Sequence, residues 1–111
     1  MSYDIWLEID TGAPEDEWPD AVEIGNYTSN VAPMWAHALN GVSLREFHRA
    51  PCSEAAGPLA EAVKRMEADP ATYREMNPPN GWGDYEGALH YLRRLAEACA
   101  THPKCRIRVS A

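Results

Sequence analysis

A chain of 111 residues, 45% apolar and 24% charged, holds enough to bury one core and too little for two that fold independently. Its formal net charge of -7, from 17 acidic against 10 Lys and Arg residues, repels phosphate backbones, and no basic run offers an anchor for a DNA or RNA duplex. No stretch approaches the roughly 20 apolar residues that span a bilayer, and the start (Met1, Ser2, Tyr3, Asp4) lacks the basic residues of a secretory signal, so a single cytoplasmic domain, residues 1–111, without a membrane partner is expected.

Tyr3 to Asp10 alternates, with Tyr3, Ile5, Leu7 and Ile9 on one side and Asp4, Trp6, Glu8 and Asp10 on the other, the period of a half-buried strand. Thr11 to Asp20 carries acids, Gly12, Pro14, Pro19 and the isolated Trp18, and reads as an acidic loop. Ala21 to Tyr27 resumes alternation through Val22 and Ile24 and predicts an antiparallel return strand.

Pro33 suits a first helical turn, and the short helix it opens stops at Asn40 and Gly41. Ser43 can cap a brief turn through Leu44 and Phe47. Pro58 predicts the start of a helix to about Ala68, with Leu59, Val63 and Met66 as its apolar stripe. Asp69 and Pro70 repeat the cap-plus-proline signal for a short helix to about Met76, carrying Tyr73. Asn77 to Gly83 cannot continue it. Asp84 then caps the longest helix, to about Ala100, whose apolar positions Tyr85, Ala88, Leu89, Leu92, Leu95, Ala96 and Cys99 keep the helical period.

Cys105, Ile107 and Val109 alternate with Lys104, Arg106, Arg108 and Ser110. The basic face of this last strand suits a place beside the acidic face of the first, since cross-strand charge pairs contribute about 0.2–1 kcal/mol each. The order β-β-α-α-α-α-β predicts an α+β domain: a small, three-stranded, largely antiparallel sheet with helices packed on one face. Cys52, Cys99 and Cys105 lack metal-ligand or disulfide-framework spacing and read as small buried residues, with Cys99 and Cys105 close if the last strand folds back beside the last helix.

Chemistry concentrates in two segments. Asn26, Tyr27, Thr28, Ser29 and Asn30, followed by Pro33, Met34 and Trp35, run from a strand end into a helix start, where amides, hydroxyls and free backbone N–H groups can hold phosphate or sugar hydroxyls. The plainer role is capping by Ser29 or Asn30. The second, Asn77 to Tyr85, combines prolines, glycines, Asn77, Asn80, Trp82 and Tyr85. Its glycines admit a ligand close to the backbone, its asparagines read amide or base edges, and an indole stacks on a planar ring at about 1–3 kcal/mol. The plainer role here is a rigid connector with Asp84 as cap and Trp82 as a lid on the core.

The expected ligand set is therefore Asn26, Tyr27, Thr28, Asn30, Trp35, Asn77, Asn80, Trp82 and Tyr85, converging on one concave surface that takes a small polar, ring-containing molecule. Trp6, on the polar face of its strand, calls for a cover: a helix, the loop bearing Trp18, or a second copy of the chain in a homo-oligomer. His37, His48, His90 and His102 show no metal-ligand spacing, Glu86 and His90 stand one helical turn apart, and Ser29, Ser43, Ser53 and Cys52 lack nucleophile contexts, so no catalytic residue, metal or cofactor is assigned. An acidic surface carrying Trp6 or Trp18 that docks a basic protein, and a small enzyme using His37 or His90 with a carboxylate, are the alternatives.

The stretches YDIWLEIDTG, GNYTSNVAPMW and MNPPNGWGDYEGALHYLRRL, spread over nearly the whole chain, resemble a family of small uncharacterised proteins of actinobacteria and their phages. The resemblance implies a phage-type setting, in which small acidic proteins bind host factors or sequester nucleotide signals of bacterial immunity. A nucleotide-derived messenger, with Trp35 or Trp82 stacking its base and Arg45, Arg49 or Arg74 helping with its charge, is then the anti-defence ligand expected.

Overall fold

The computed structural model describes all residues, 1–111, and is α+β. Strand β1 (Ser2–Ile9) lies at the centre of a three-stranded antiparallel sheet, between β2 (Asp20–Thr28) and β3 (Cys105–Ser110). Helices α1 (Ala32–Ala38), α2 (Cys52–Ala68), α3 (Pro70–Arg74) and α4 (Tyr85–Thr101) come between the last two strands in the chain. None is long and apolar enough to cross a membrane.

Alternation in β1 sends Tyr3, Ile5 and Leu7 into the core, where they meet Trp35, Leu92 and the rest of a cluster of 27 buried residues. The return strand does not keep a simple period. Gly25 stands opposite Ile5 and Glu23 opposite Trp6, so Ile24 is the extra residue of a bulge. The bulge shifts the phase by one, which turns Tyr27, opposite Tyr3, toward the core side.

Helix α1 ends as Asn40 and Gly41 imply. The Gly41 N–H donates to Ala36 O and the Asn40 N–H to His37 O, with both residues at positive φ, closing the helix by a Schellman turn. Helix α2 begins at Cys52 rather than at Pro58, which sits inside it. Proline removes one backbone bond, but Cys52, Ala55 and Leu59 are buried on the same face, so packing carries the helix through that gap. Helix α3 is correspondingly short and stops at Arg74, short of the expected Met76.

Beside β1, β3 places Arg106 opposite Glu8 and Arg108 opposite Trp6. On this outer face Arg106 Nε donates to Glu8 Oε1 at 2.9 Å, and both residues are buried. The acidic loop provides the cover: Trp18 lies under the Arg106 guanidinium at 3.8 Å, and Arg106 also donates to the Glu15 carbonyl. Arg108 stacks on Trp6 at 4.0 Å and binds Glu8 and Asp20. Residues 48–51 close the far edge of β3, with the Val109 N–H donating to His48 Nδ1 at 2.9 Å and the Arg49 N–H to Ile107 O.

Candidate functional site

The segments around Asn26 and Asn80 meet because Tyr27 lies across the start of α4. Its hydroxyl accepts the Asp84 N–H at 3.1 Å, while Asp84 Oδ1 accepts the Gly87 N–H at 2.8 Å as the helix cap. The approach requires glycine at two positions: a Cβ on Gly87 would overlap the Tyr27 hydroxyl, and one on Gly83 would overlap Thr28 and Val31.

This docking leaves a cleft of about 430 Å³, lined by Met1, Ser2, Asn26, Tyr27, Thr28, Asn30, Asn80 and Trp82. The volume falls within the roughly 300–1,000 Å³ of small-molecule sites. Trp82 is 67% exposed and is therefore no lid on the core. The Trp82 backbone N–H donates to Asn80 Oδ1 at 2.9 Å, which holds the indole-bearing turn, with Gly81 N–H donating to Pro78 O behind it. Across the cleft, Thr28 Oγ1 accepts from Asn30 Nδ2 at 2.8 Å and from the Asn30 backbone. Those bonds use one end of Asn30 and one end of Asn80. The carbonyl of Asn30, the amino group of Asn80 and the exposed Asn26 remain for a ligand.

Asn26, Tyr27, Thr28, Asn30, Asn80 and Trp82 thus share the cleft, and three residues of the expected set lie elsewhere. Trp35 is fully buried, its Nε1 donating to Ala88 O at 3.0 Å, and its ring meets Tyr3, Tyr27 and Tyr91. Tyr85 is buried too, with its hydroxyl donating to Met66 O at 2.7 Å. Asn77 spends its side-chain carbonyl on the Tyr85 N–H at 2.8 Å, next to Asp84 at the head of α4. In each case the helix behind the loop claims the side chain.

Free backbone donors for an anion are scarce at both helix starts. Those of α4 go to Tyr27, Asn77 and Asp84, and the turn before α1 is held by Thr28 and by bonds from Ser29 to Met1 O. Met1 and Ser2 were missed as lining residues. The antiparallel hairpin carries the signal for them, since pairing the two strands sets Ser2 opposite Thr28.

Arg45 donates to Ala111 O, and Arg74 pairs with Glu86 at 3.2 Å over the Tyr85 ring. Neither these nor Arg49 line the cleft. The Arg74 pair also takes Glu86 away from His90, and His37 rests edge-on against Tyr73 at 5.4 Å. Beneath the cleft the buried Tyr91 hydroxyl donates to Gly25 O at 2.9 Å, and burial, with Asp4 nearby, pushes its pKa well above the ordinary phenol value. Cys52, Cys99 and Cys105 are free and buried. The hydrogen bond between Cys99 and Cys52 raises the Cys99 thiol, which burial raises further, and lowers the Cys52 thiol against the effect of its burial; burial also raises Cys105.

The Tyr27–Gly87 contact makes a direct test. A helix-interior Gly→Ala change ordinarily stabilises by up to about 1 kcal/mol, whereas displacing a packed ring costs about 1–3 kcal/mol. Gly87→Ala is expected to lower the urea midpoint, because the overlap with Tyr27 outweighs the gain in helix propensity. A raised midpoint would show that Tyr27 yields without cost.

A scan of protein families and searches of curated proteins and of solved structures find no match to this chain.

Proposed function

We propose that this chain is a binding module for a small, polar, ring-bearing ligand held in the cleft between the end of β2 and the loop before α4. The observation that carries the reading is Trp82, a large indole left mostly in solvent at the rim of a polar cleft, on a turn whose backbone Asn80 holds. An indole in that position offers its face to a planar ring, and such stacking contributes about 1–3 kcal/mol to binding. Asn26, Asn30 and Asn80 supply the donors and acceptors that read the edge of such a ring.

A nucleotide-derived signal of bacterial immunity is one ligand of this class, bound by its base and sugar. The Trp-bearing acidic surface offers less to a basic protein, since Trp6 and Trp18 are each already covered by a guanidinium. Glu86, the carboxylate one helical turn from His90, pairs instead with Arg74.

Thermal shift against a panel of nucleosides and sugars tests the proposal, because a ligand at 100 times its Kd stabilises the folded state by about 2.7 kcal/mol. Trp82→Ala is expected to leave the melt within about 0.5 kcal/mol of the parent while removing that ligand-induced shift. A large fall in the ligand-free midpoint would assign Trp82 to stability instead. An unchanged melt with an unchanged shift would move the site away from the cleft.

A further inference from the structure

We propose that Asn80 is a site of spontaneous deamidation, in which the Gly81 backbone nitrogen displaces the side-chain amide through a cyclic imide and leaves a carboxylate on the cleft wall. Of the five asparagines, Asn40 and Asn80 precede glycine, the residue whose missing Cβ leaves its backbone nitrogen open for attack on the side chain before it. Asn77 precedes Pro78, whose nitrogen carries no hydrogen to lose. Asn26 and Asn30 precede Tyr27 and Val31, whose side chains crowd that nitrogen.

The two Asn-Gly pairs are held differently. Gly41 N–H donates to Ala36 O at 2.7 Å and Asn40 N–H to His37 O, so reaction at Asn40 must first undo the end of α1. Gly81 N–H donates to Pro78 O at 3.2 Å, across an exposed turn outside any helix. The space around Gly81 is open, with no atom within 4 Å of where a Cβ would stand.

The Asn80 side chain is also set for the reaction. Trp82 N–H donates to Oδ1 at 2.9 Å, which folds the side chain back alongside the Gly81 nitrogen. The same bond polarises Cγ and stabilises the negative charge that Oδ1 gains when a nitrogen adds there. Nδ2 takes no part in this bond and is free to leave.

Gly81 N gives its proton to solvent base and bonds to Cγ. The Cγ–Nδ2 bond then breaks, and Nδ2 takes a proton from water and departs as ammonia. Water adds to either carbonyl of the five-membered imide and opens it to aspartate or isoaspartate. The net change converts an amide and a water into a carboxylate and an ammonium ion. Either product adds a negative charge to the cleft beside Trp82, and isoaspartate also lengthens by a carbon the turn that carries the indole. The assignment rests on the turn alone and holds whatever the cleft binds.

The folded chain, incubated in warm, mildly alkaline buffer beside the same chain unfolded in guanidinium chloride, tests this by peptide mass spectrometry. Unfolded, Asn40 and Asn80 are expected to convert at similar rates. Folding is expected to slow Asn40 by about tenfold or more and to leave Asn80 at its unfolded rate or above. Gly81→Ala is expected to slow Asn80 about tenfold, because a methyl group shields the attacking nitrogen. Both aspartate and isoaspartate are expected at position 80. Slowing of both sites on folding, or faster conversion at Asn40, overturns the proposal. A rate unmoved by Gly81→Ala, or aspartate as the sole product, overturns it too, since either means direct hydrolysis of the amide.

Discussion

Trp35→Ala is expected to lower stability by about 3–5 kcal/mol, the cost of removing a large buried aromatic, against a total of about 5–15 kcal/mol for a domain. The indole is fully enclosed, stacks on Tyr91 with centroids 5.5 Å apart, meets Tyr3 edge-on at 5.3 Å, and satisfies the Ala88 carbonyl. Its loss removes contacts to β1, β2 and α4 at once and leaves a cavity between sheet and helices. Tyr27 rests on the same ring at 6.3 Å, so the cleft should loosen as well. Urea melts measure the effect. A loss below about 1 kcal/mol would mean that the surrounding tyrosines collapse into the space. The contrast with Trp82→Ala is diagnostic: one tryptophan is expected to govern the melt and the other the binding.

Glu8→Ala is expected to cost a comparable about 3–5 kcal/mol for a different reason, the stranding of a buried guanidinium. Arg106 and Glu8 are 6% and 7% exposed, so neither recovers its hydration when the other is removed. Arg108 also loses a carboxylate at 3.2 Å, though it keeps Asp20. The double replacement Glu8→Leu with Arg106→Met should recover most of the loss, because an apolar pair of similar volume carries no desolvation cost. It should still free the loop: without Arg106, Trp18 and the Glu15 carbonyl lose their anchor, and proteolysis between Gly12 and Pro19 should accelerate. Denaturant melts of the two single and the double variants, with a protease time course, separate stability from loop closure. Equal destabilisation of singles and double would show that the pair contributes packing rather than charge compensation.

Local patterns were enough to mark the strands, most helix boundaries and the neighbour of each strand, though not where α2 begins or α3 ends. Period-two alternation in β1, the cap-plus-proline signal at Asp69 and Pro70, the Asn40–Gly41 stop and the Asp84 cap are local features, decided by backbone sterics and by hydrogen bonds a few residues apart. Complementary charge placed β3 beside β1 because the acidic and basic faces are written in the alternation itself. Polar residue types marked Asn26, Thr28, Asn30 and Asn80, which line the cleft, since amides and hydroxyls in turn segments do not fill a core.

The division of labour among the aromatics depends on long-range packing. Trp35, Tyr85 and Trp82 all flank turn-rich segments and look alike in sequence, yet the first two face the helical layer and are buried while the third lies beyond it in solvent. The start of α2 at Cys52 likewise follows from burial of Cys52 and Ala55 against the core, which outweighs the bond lost at Pro58. The Ile24 bulge, invisible as composition, turns Tyr27 inward and sets it across Gly87, and that one long-range contact brings two segments about fifty residues apart to a common cleft. Contacts of that separation depend on how helices and sheet pack around a shared volume, a property of the folded whole that no local stretch of residues carries.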